Sequence, residues 1–286
     1  MDSRSQRRSG PLSRALLWYV RKFPAHAGKW KIVRALARDP VGGPKALDGS
    51  APHVDSIEVR LGLRWQLDRF DYTQAKLFWY GELDHWVFWH IRRLIRNPAV
   101  ILDIGANFGY YGIVLARAYP SVVVHSFEPN PSTFARLRKN IELNSLTNVI
   151  PHRQALSSQY GWAGVVEQAG NSGAAFLSNG NDVETVTLDG FCDANQIRTV
   201  SFLKIDIEGY EPRFLAGAKR SLREFRPIMV IEINPPVLNQ RGSDAQSLIG
   251  SLRELGYRLM VVKRRKLAEL THVPPDEVTN AVCLPR

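Results

Sequence analysis

From Pro98 onward, apolar runs of four to seven residues alternate with stretches in which apolar positions recur every third or fourth residue. Ala99–Ile104 is an apolar run ending in Gly105, the pattern of a strand buried on both faces of a parallel sheet. A helix over 109–118 follows, then a strand at Val122–Phe127, a helix at Pro131–Asn144 and a strand at Asn148–Pro151. After a glycine-rich stretch over 157–182, a strand at Val183–Thr187 pairs within that insertion, and a helix covers Leu188–Asn195. The alternation resumes with a strand at Val200–Ile205, a helix over 211–224, a strand at Pro227–Ile233 and a helix over 243–255. A strand at Tyr257–Val262, a basic turn at Lys263–Lys266 and a strand at Asn280–Leu284 close the chain. Seven strands with helices between them predict a doubly wound α/β sheet finished antiparallel by its last strands.

Before Pro98 the pattern differs. Ser56–Val59 and Leu63–Leu67 read as a hairpin about Gly62, and the aromatic stretches Phe78-Trp79-Tyr80 and Trp86-Val87-Phe88-Trp89 lead into a helix over 84–96. Such an aromatic stripe is expected in the core. Residues 40–52 cluster Pro, Gly, Asp and Ser and read as a linker, whereas 12–23 and 30–37 carry apolar positions at helical spacing. The expected organisation is a basic helical arm and linker over 1–52, a hairpin and helix over 53–97, and a main domain over 98–286.

The chain has 286 residues and a net charge of +11. Residues 1–38 hold ten Lys and Arg against Asp2 alone, so the basic character belongs to the arm and the body is close to neutral. A neutral body argues against a nucleic-acid groove across the fold. The arm can pack on the domain, lie on an anionic membrane surface, or serve as a targeting segment. Two cysteines, Cys192 and Cys283, are too few for a disulfide framework or a thiolate zinc site. No apolar run is long enough to span a bilayer. A soluble, cytoplasmic protein, membrane-peripheral if the arm binds lipid, is expected.

Candidate chemistry gathers where strands end. Asp103-Ile-Gly105-Ala106-Asn107-Phe-Gly109 occupies a strand-to-helix turn, and Glu128 follows at the end of the next strand. In doubly wound folds an acid at that place accepts hydrogen bonds from ribose hydroxyls. Dinucleotide turns usually carry G-x-G-x-x-G; here Asn107 stands in the second glycine's place and Tyr110 in the third's, so a pyrophosphate is disfavoured. A nucleoside carrying an amino acid, S-adenosylmethionine, fits better. The alternative leaves the glycines to a tight turn and Glu128 to a helix cap.

The segments Val100–Gly112, Ser126–Asn130, Ala155–Ser157, Thr187–Asp189, Leu203–Glu211 and Arg226–Glu232 resemble, in order, the motifs of the FkbM-type S-adenosylmethionine-dependent methyltransferases. The resemblance covers about 78–284 and implies a class I methyltransferase (Rossmann-like) fold and O-methylation of sugars, glycolipids or polyketide-like metabolites. It implies that Gly105, Asn107 and Gly109 line the methionine end, Glu128 the ribose, and the backbone near Ala155 the adenine. The expected cofactor set is Asp103, Gly105, Ala106, Asn107, Gly109, Glu128, Pro129, Ala155 and Asp206.

Methyl transfer from a sulfonium is an in-line displacement, so catalysis is largely positioning, and a hydroxyl acceptor benefits from a base or a metal. Asp206 and Glu208 end one central strand and Glu232 its neighbour, which makes these three the expected catalytic carboxylates. Crowded carboxylates raise one another's pKa unless a divalent cation neutralises them. The competing assignment gives Glu208 to a helix cap and Asp206 to orienting the cofactor, and Lys204 can pair with Asp206. Asn234-Pro-Pro236 resembles an amino-group methyltransferase motif, but it follows the fifth strand and lacks the aromatic residue, so base methylation is disfavoured. The insertion Gly161–Asn181 is expected either to be a lid over the acceptor or a plain surface hairpin. The expected partner is a small-molecule or glycan acceptor; the alternatives are an RNA methyltransferase and a non-catalytic cofactor-binding module.

Overall fold

The computed structural model describes Ala15, Trp18, Tyr19, Gly28 and residues 54–68, 71–95, 99–263 and 265–286. Of the expected arm, Ala15, Trp18 and Tyr19 are helical, with Trp18 exposed; the rest of the arm and its linker lie outside the described residues. The chain divides into two compact units, Met1–His85 with Ala169–Gly173, and Trp86–Gln168 with Ala174–Arg286.

In the first unit, β1 (Val54–Val59) and β2 (Leu63–Asp68) form the expected hairpin, turned by Leu61 and Gly62 at positive φ. Leu63, Trp65 and Leu67 are buried while Arg64 is exposed, the period-two signature of a half-covered sheet. Helix α1 (Tyr72–Tyr80) starts where Asp71 accepts the Thr73 and Gln74 amides and stops at Gly81 in the left-handed conformation. Asp71 also accepts the Ser172 amide, Tyr72 N–H donates to the Gly170 carbonyl, and Gln74 Nε2 donates to Ser172 Oγ. The tip of the glycine-rich insertion is thus tied to the start of α1.

The second unit is an α/β sheet of eight strands. Its elements are α2 (His85–Leu94, within this unit from Trp86), β3 (Val100–Ile104), α3 (Tyr110–Ala118), β4 (Val123–Phe127), α4 (Pro131–Leu143) and β5 (Val149–His152). Then come β6 (Gln154–Leu156), β7 (Gly161–Val166), β8 (Phe176–Val186), α5 (Leu188–Ala194) and β9 (Phe202–Ile205). They are followed by α6 (Glu211–Ala216), α7 (Lys219–Phe225), β10 (Ile228–Ile233), α8 (Pro235–Gln240) and α9 (Ala245–Glu254). Strands β11 (Tyr257–Lys263), β12 (Lys266–Glu269) and β13 (Thr279–Pro285) end the chain. The sheet order is β12-β11-β13-β10-β9-β3-β4-β5, with β5, β4, β3, β9 and β10 parallel and β13 antiparallel between β10 and β11. This is the class I methyltransferase order, with the topological reversal between β3 and β9.

Three details differ from the sequence reading. The sheet gains an eighth strand because the basic segment after Lys263 turns back and pairs as β12; Arg265 takes the positive φ that the reversal needs. The helix read over 211–224 breaks into α6 and α7, since Gly217 packs against the Ser157 carbonyl, 2.1 Å from where a β-carbon would sit. The insertion is a three-stranded sheet, β6-β8-β7, with β8 starting well before Val183.

The core contains Leu102, Ile104, Phe127, Leu203, Ile205, Phe214, Ile231 and Tyr257, each nearly inaccessible, and burial of each such side chain is worth about 1.5–3 kcal/mol. Of the aromatic stripe, Phe78, Tyr80 and Phe88 are buried as expected, whereas Trp89 is 41% exposed. Cys192 and Cys283 are buried free thiols. Among the described residues no helix is long and apolar enough to cross a membrane.

Candidate active site

Register assembles the site at the carboxyl edge of the sheet. Asp103 pairs with Ser126 on one side and Lys204 on the other, and Lys204 pairs with Val230. Two residues after Lys204, just past the end of β9, the chain reaches Asp206. Glu232 lies one residue beyond the Ile231–Ile205 pair and so stands beside Asp206.

The turn after β3 is built from left-handed residues: Gly105 (φ +77°), Asn107 (φ 51°) and Gly109 (φ +97°). Asn is among the few non-glycine residues that tolerate this region. The amides of Gly105 and Ala106 donate to the Phe127 carbonyl, Asn107 to Glu128 Oε2, Phe108 to Asn107 Oδ1 and Gly109 to the Ala106 carbonyl. Five successive N–H groups are therefore satisfied within the protein, which leaves this turn no donor array for a pyrophosphate. Asn140 Nδ2 donates to the Phe108 carbonyl and holds the turn from α4.

Glu128 is buried and accepts one amide per oxygen, Asn107 on Oε2 and Asn130 on Oε1. A carboxylate oxygen can accept more than one hydrogen bond, so Glu128 retains capacity for hydroxyl donors. It does not cap α4; Asn130 does, accepting the Ser132 and Thr133 amides. Burial pushes the Glu128 carboxyl up to about 7 against the pull of those amides, with Asp103 and Asp206 adding repulsion. Asp103 accepts the Gly112 amide, 2.8 Å away, and is pushed up to about 6 by burial, with Gly112 and Lys204 pulling it down. A buried carboxylate with open acceptor capacity beside a donor-free turn suits the hydroxyls of a nucleoside without phosphates.

Asp206, Glu208 and Glu232 each offer a carboxylate oxygen, all within 4.8 Å of one another. Lys204 Nζ lies 3.1 Å from Asp206 Oδ2, almost wholly buried, and 5.2 Å from the Tyr111 ring centroid. Burial first, then Asp206 and Glu211, raise Glu208 to about 8, while Lys204 and Arg241 pull it down. Glu232 is driven well above the usual carboxylate range by burial and then by Asp206. Three carboxyls this close are accommodated by retained protons or by a divalent cation, whose ligand preference the set matches. Glu208 sits at φ 52°, a backbone state that costs a non-glycine residue of order 1 kcal/mol or more.

Glu208 does not cap the next helix. Tyr210 occupies that position, and Glu211 accepts the Ile207 and Gly209 amides. The sequence analysis gives no role to Asn130, Asn140, Glu211 or Arg241; Asn130-Pro131 is the readable signal, as a cap followed by proline at a helix start. Pro129 follows Glu128, and Ala155 lies in β6, paired with Thr185 of β8. His125 Nδ1 and His152 Nε2 are 2.9 Å apart, and both rings pack edge-on against Phe191. Burial lowers both, His152 to about 4, so this is a neutral structural pair.

The methyltransferase FkbM domain model matches residues 103–259. The hexuronic acid methyltransferase AglP of Haloferax volcanii is 29% identical over 141 residues, 48% of this chain and 57% of that protein. The 31-O-demethyl-FK506 methyltransferase FkbM of Streptomyces tacrolimicus is 26% identical over 159 residues, 44% of this chain and 61% of its own. A tRNA(Phe) (4-demethylwyosine(37)-C(7)) aminocarboxypropyltransferase of Methanocaldococcus jannaschii is 42% identical over 109 residues, 35% of this chain and 41% of its own. The chain spans about three-fifths or less of the length of these relatives.

Proposed function

The chain belongs to the FkbM methyltransferase family, and we propose that it transfers a methyl group from S-adenosylmethionine to a hydroxyl of a sugar, glycolipid or hydroxylated metabolite. The observation that carries this reading is the carboxylate group Asp206, Glu208 and Glu232, gathered beside a turn whose amides are already hydrogen-bonded and offer no donors to a phosphate. The names of AglP and FkbM, both methyltransferases, support it.

S-adenosylmethionine supplies an electrophilic methyl group on a sulfonium. Glu128 accepts the ribose hydroxyls, and Asp103, Gly105, Ala106, Asn107 and Gly109 shape the methionine end, with Pro129 and Ala155 toward the adenine. Asp206, fixed by Lys204, orients the reacting groups. Glu208 or Glu232 would take up the proton that the acceptor hydroxyl loses on methylation. Burial raises both carboxyls, Glu208 to about 8, and so makes either a stronger base once ionised.

The spacing of the three carboxylates supports a second reading, in which a divalent cation held there activates the hydroxyl. Activity lost in EDTA and restored by magnesium would assign the carboxylates to a cation; activity kept in EDTA would assign them to a proton. The primary test follows labelled methyl from S-adenosylmethionine into a host lysate, with Glu128→Ala as control. Nuclease-resistant label in a carbohydrate or organic fraction supports the proposal, whereas label released by ribonuclease favours RNA as the acceptor. Cofactor binding without transfer to any fraction would leave a non-catalytic module.

A further inference from the structure

We propose that Arg241 is an anion subsite for the acceptor, binding a carboxylate or phosphate that the acceptor carries near the hydroxyl to be methylated. This rests on the methyltransferase reading and names a class of acceptor within it.

Arg241 caps α8, the short helix that leaves β10 just after Glu232. Its side chain packs on the loop that carries Glu208: Gly209 has no β-carbon, and one placed there would come 2.8 Å from Arg241 Cγ. The guanidinium carbon lies over the ring of Phe176 at the start of β8, 3.8 Å from its centroid, and 5.6 Å from that of Tyr210. Tyr210 is itself fixed by its hydroxyl donating to the Leu177 carbonyl. Stacking of this kind leaves the donor edge of a guanidinium available.

That edge has no acceptor among the described residues. Arg241 Nε is shielded from solvent and makes no hydrogen bond, and no carboxylate lies within ion-pair distance of the guanidinium. A buried donor without a partner is costly, and the terminal N–H groups of a guanidinium match a two-oxygen anion. Arg241 also acts electrostatically on Glu208, so its charge is felt where the acceptor would sit. Beside three carboxylates an anionic acceptor is repelled unless a cation receives it, and Arg241 is placed to do so. A neutral acceptor would leave the guanidinium edge unpaired.

The full chain is titrated with S-adenosylhomocysteine, and then, saturated with it, with methyl glucuronoside, glucose 6-phosphate and the uncharged methyl glucoside. At least one charged sugar is expected to bind about tenfold or more tightly than the uncharged one, the scale of a charge-assisted hydrogen-bond pair. Whether it is the carboxylate or the phosphate identifies the anion. Arg241→Gln is expected to abolish the preference, Arg241→Lys to retain part of it, and Phe176→Leu to weaken it while keeping the charge. Unchanged nucleoside binding in each variant shows that the fold is intact. A wild-type chain that binds the nucleoside but shows no charge preference overturns the proposal, as does a preference that survives in Arg241→Gln. Failure of the wild-type chain to bind the nucleoside overturns the methyltransferase reading instead.

Discussion

A β-carbon on Gly105 would lie 1.8 Å from the backbone carbonyl oxygen of Asp206. The turn after β3 is therefore pressed against the end of β9, where the carboxylate group begins. Gly105 also holds φ +77°, which disfavours any side chain. Gly105→Ala is expected to lose roughly 3 kcal/mol or more of stability, from backbone strain and overlap together. Nucleoside binding and methyl transfer should fall in parallel. Urea unfolding and calorimetric titration check this, and a variant with native stability and affinity would show that the turn can retreat from Asp206.

If Glu128 accepts the ribose hydroxyls, it sets the nucleoside affinity. Glu128→Ala removes a buried acceptor worth about 1.5–3 kcal/mol to charged hydrogen bonding, so S-adenosylhomocysteine should bind ten- to a hundredfold more weakly. An affinity within twofold of the parent would remove Glu128 from the ribose role.

The same burial makes ligand-free stability fall with pH. The folded chain holds protons on Asp103 to about pH 6 and on Glu128 to about pH 7, whereas the unfolded chain releases them near pH 4. More protons bound in the folded state means that stability declines as pH rises through this range, by up to about 3 kcal/mol per group. Glu208 extends the decline to about pH 8. His125 and His152, whose pKa values are lowered, oppose it only below their unfolded value near 6.5. Calorimetry between pH 6.5 and 8 should therefore record a falling Tm, shallower in Glu128→Ala; a flat or rising profile would contradict the burial of charge at this site.

If Glu208 is the base, kcat/KM rises with pH through about 8 and levels above it, because only the ionised carboxylate takes the proton. Glu208→Asn is a sharp probe, since Asn accommodates φ 52° without added strain. It should reduce kcat about 10²–10⁴-fold and abolish the alkaline rise while leaving Tm at least as high as in the parent. An unchanged midpoint in the variant would transfer the role to Glu232.

Asp71 ties Thr73, Gln74 and Ser172 through one carboxylate. Asp71→Ala should cost about 2 kcal/mol of stability and speed amide exchange at Gln74 and Ser172 together. A change confined to α1 would mean that the insertion tip holds its place without this carboxylate.

Much of the main sheet was legible because parallel strands buried on both faces leave apolar runs, and all seven of its expected strands are present. The turn after β3 was equally open to reading: Gly105, Asn107 and Gly109 take the left-handed backbone that a tight turn requires, and Glu128 follows the end of β4. Lys204 and Asp206 could be placed on one face from their even spacing alone. What stayed hidden depends on long-range packing. The break in the 211–224 helix comes from the Ser157 carbonyl at Gly217, and the role of Arg241 comes from Phe176, 65 positions earlier in the chain. Strand β12 was missed because a basic segment carries no period-two signal on an edge that faces solvent.

The closed amide circuit of the first turn has a consequence for how this fold can change. Where a turn presents bare N–H groups, ligand identity is written into the main chain and survives most side-chain exchange. Here the five amides are taken up within the protein, three by carbonyls and two by side chains, and on the proposed reading discrimination falls to a few carboxylates such as Glu128 and Asp103. Point substitutions can therefore retune or erase nucleoside recognition while the backbone stays as it is. Conversion to a dinucleotide site would demand that Gly105, Ala106 and Asn107 be re-routed away from Phe127 and Glu128, a change that no single side chain can make.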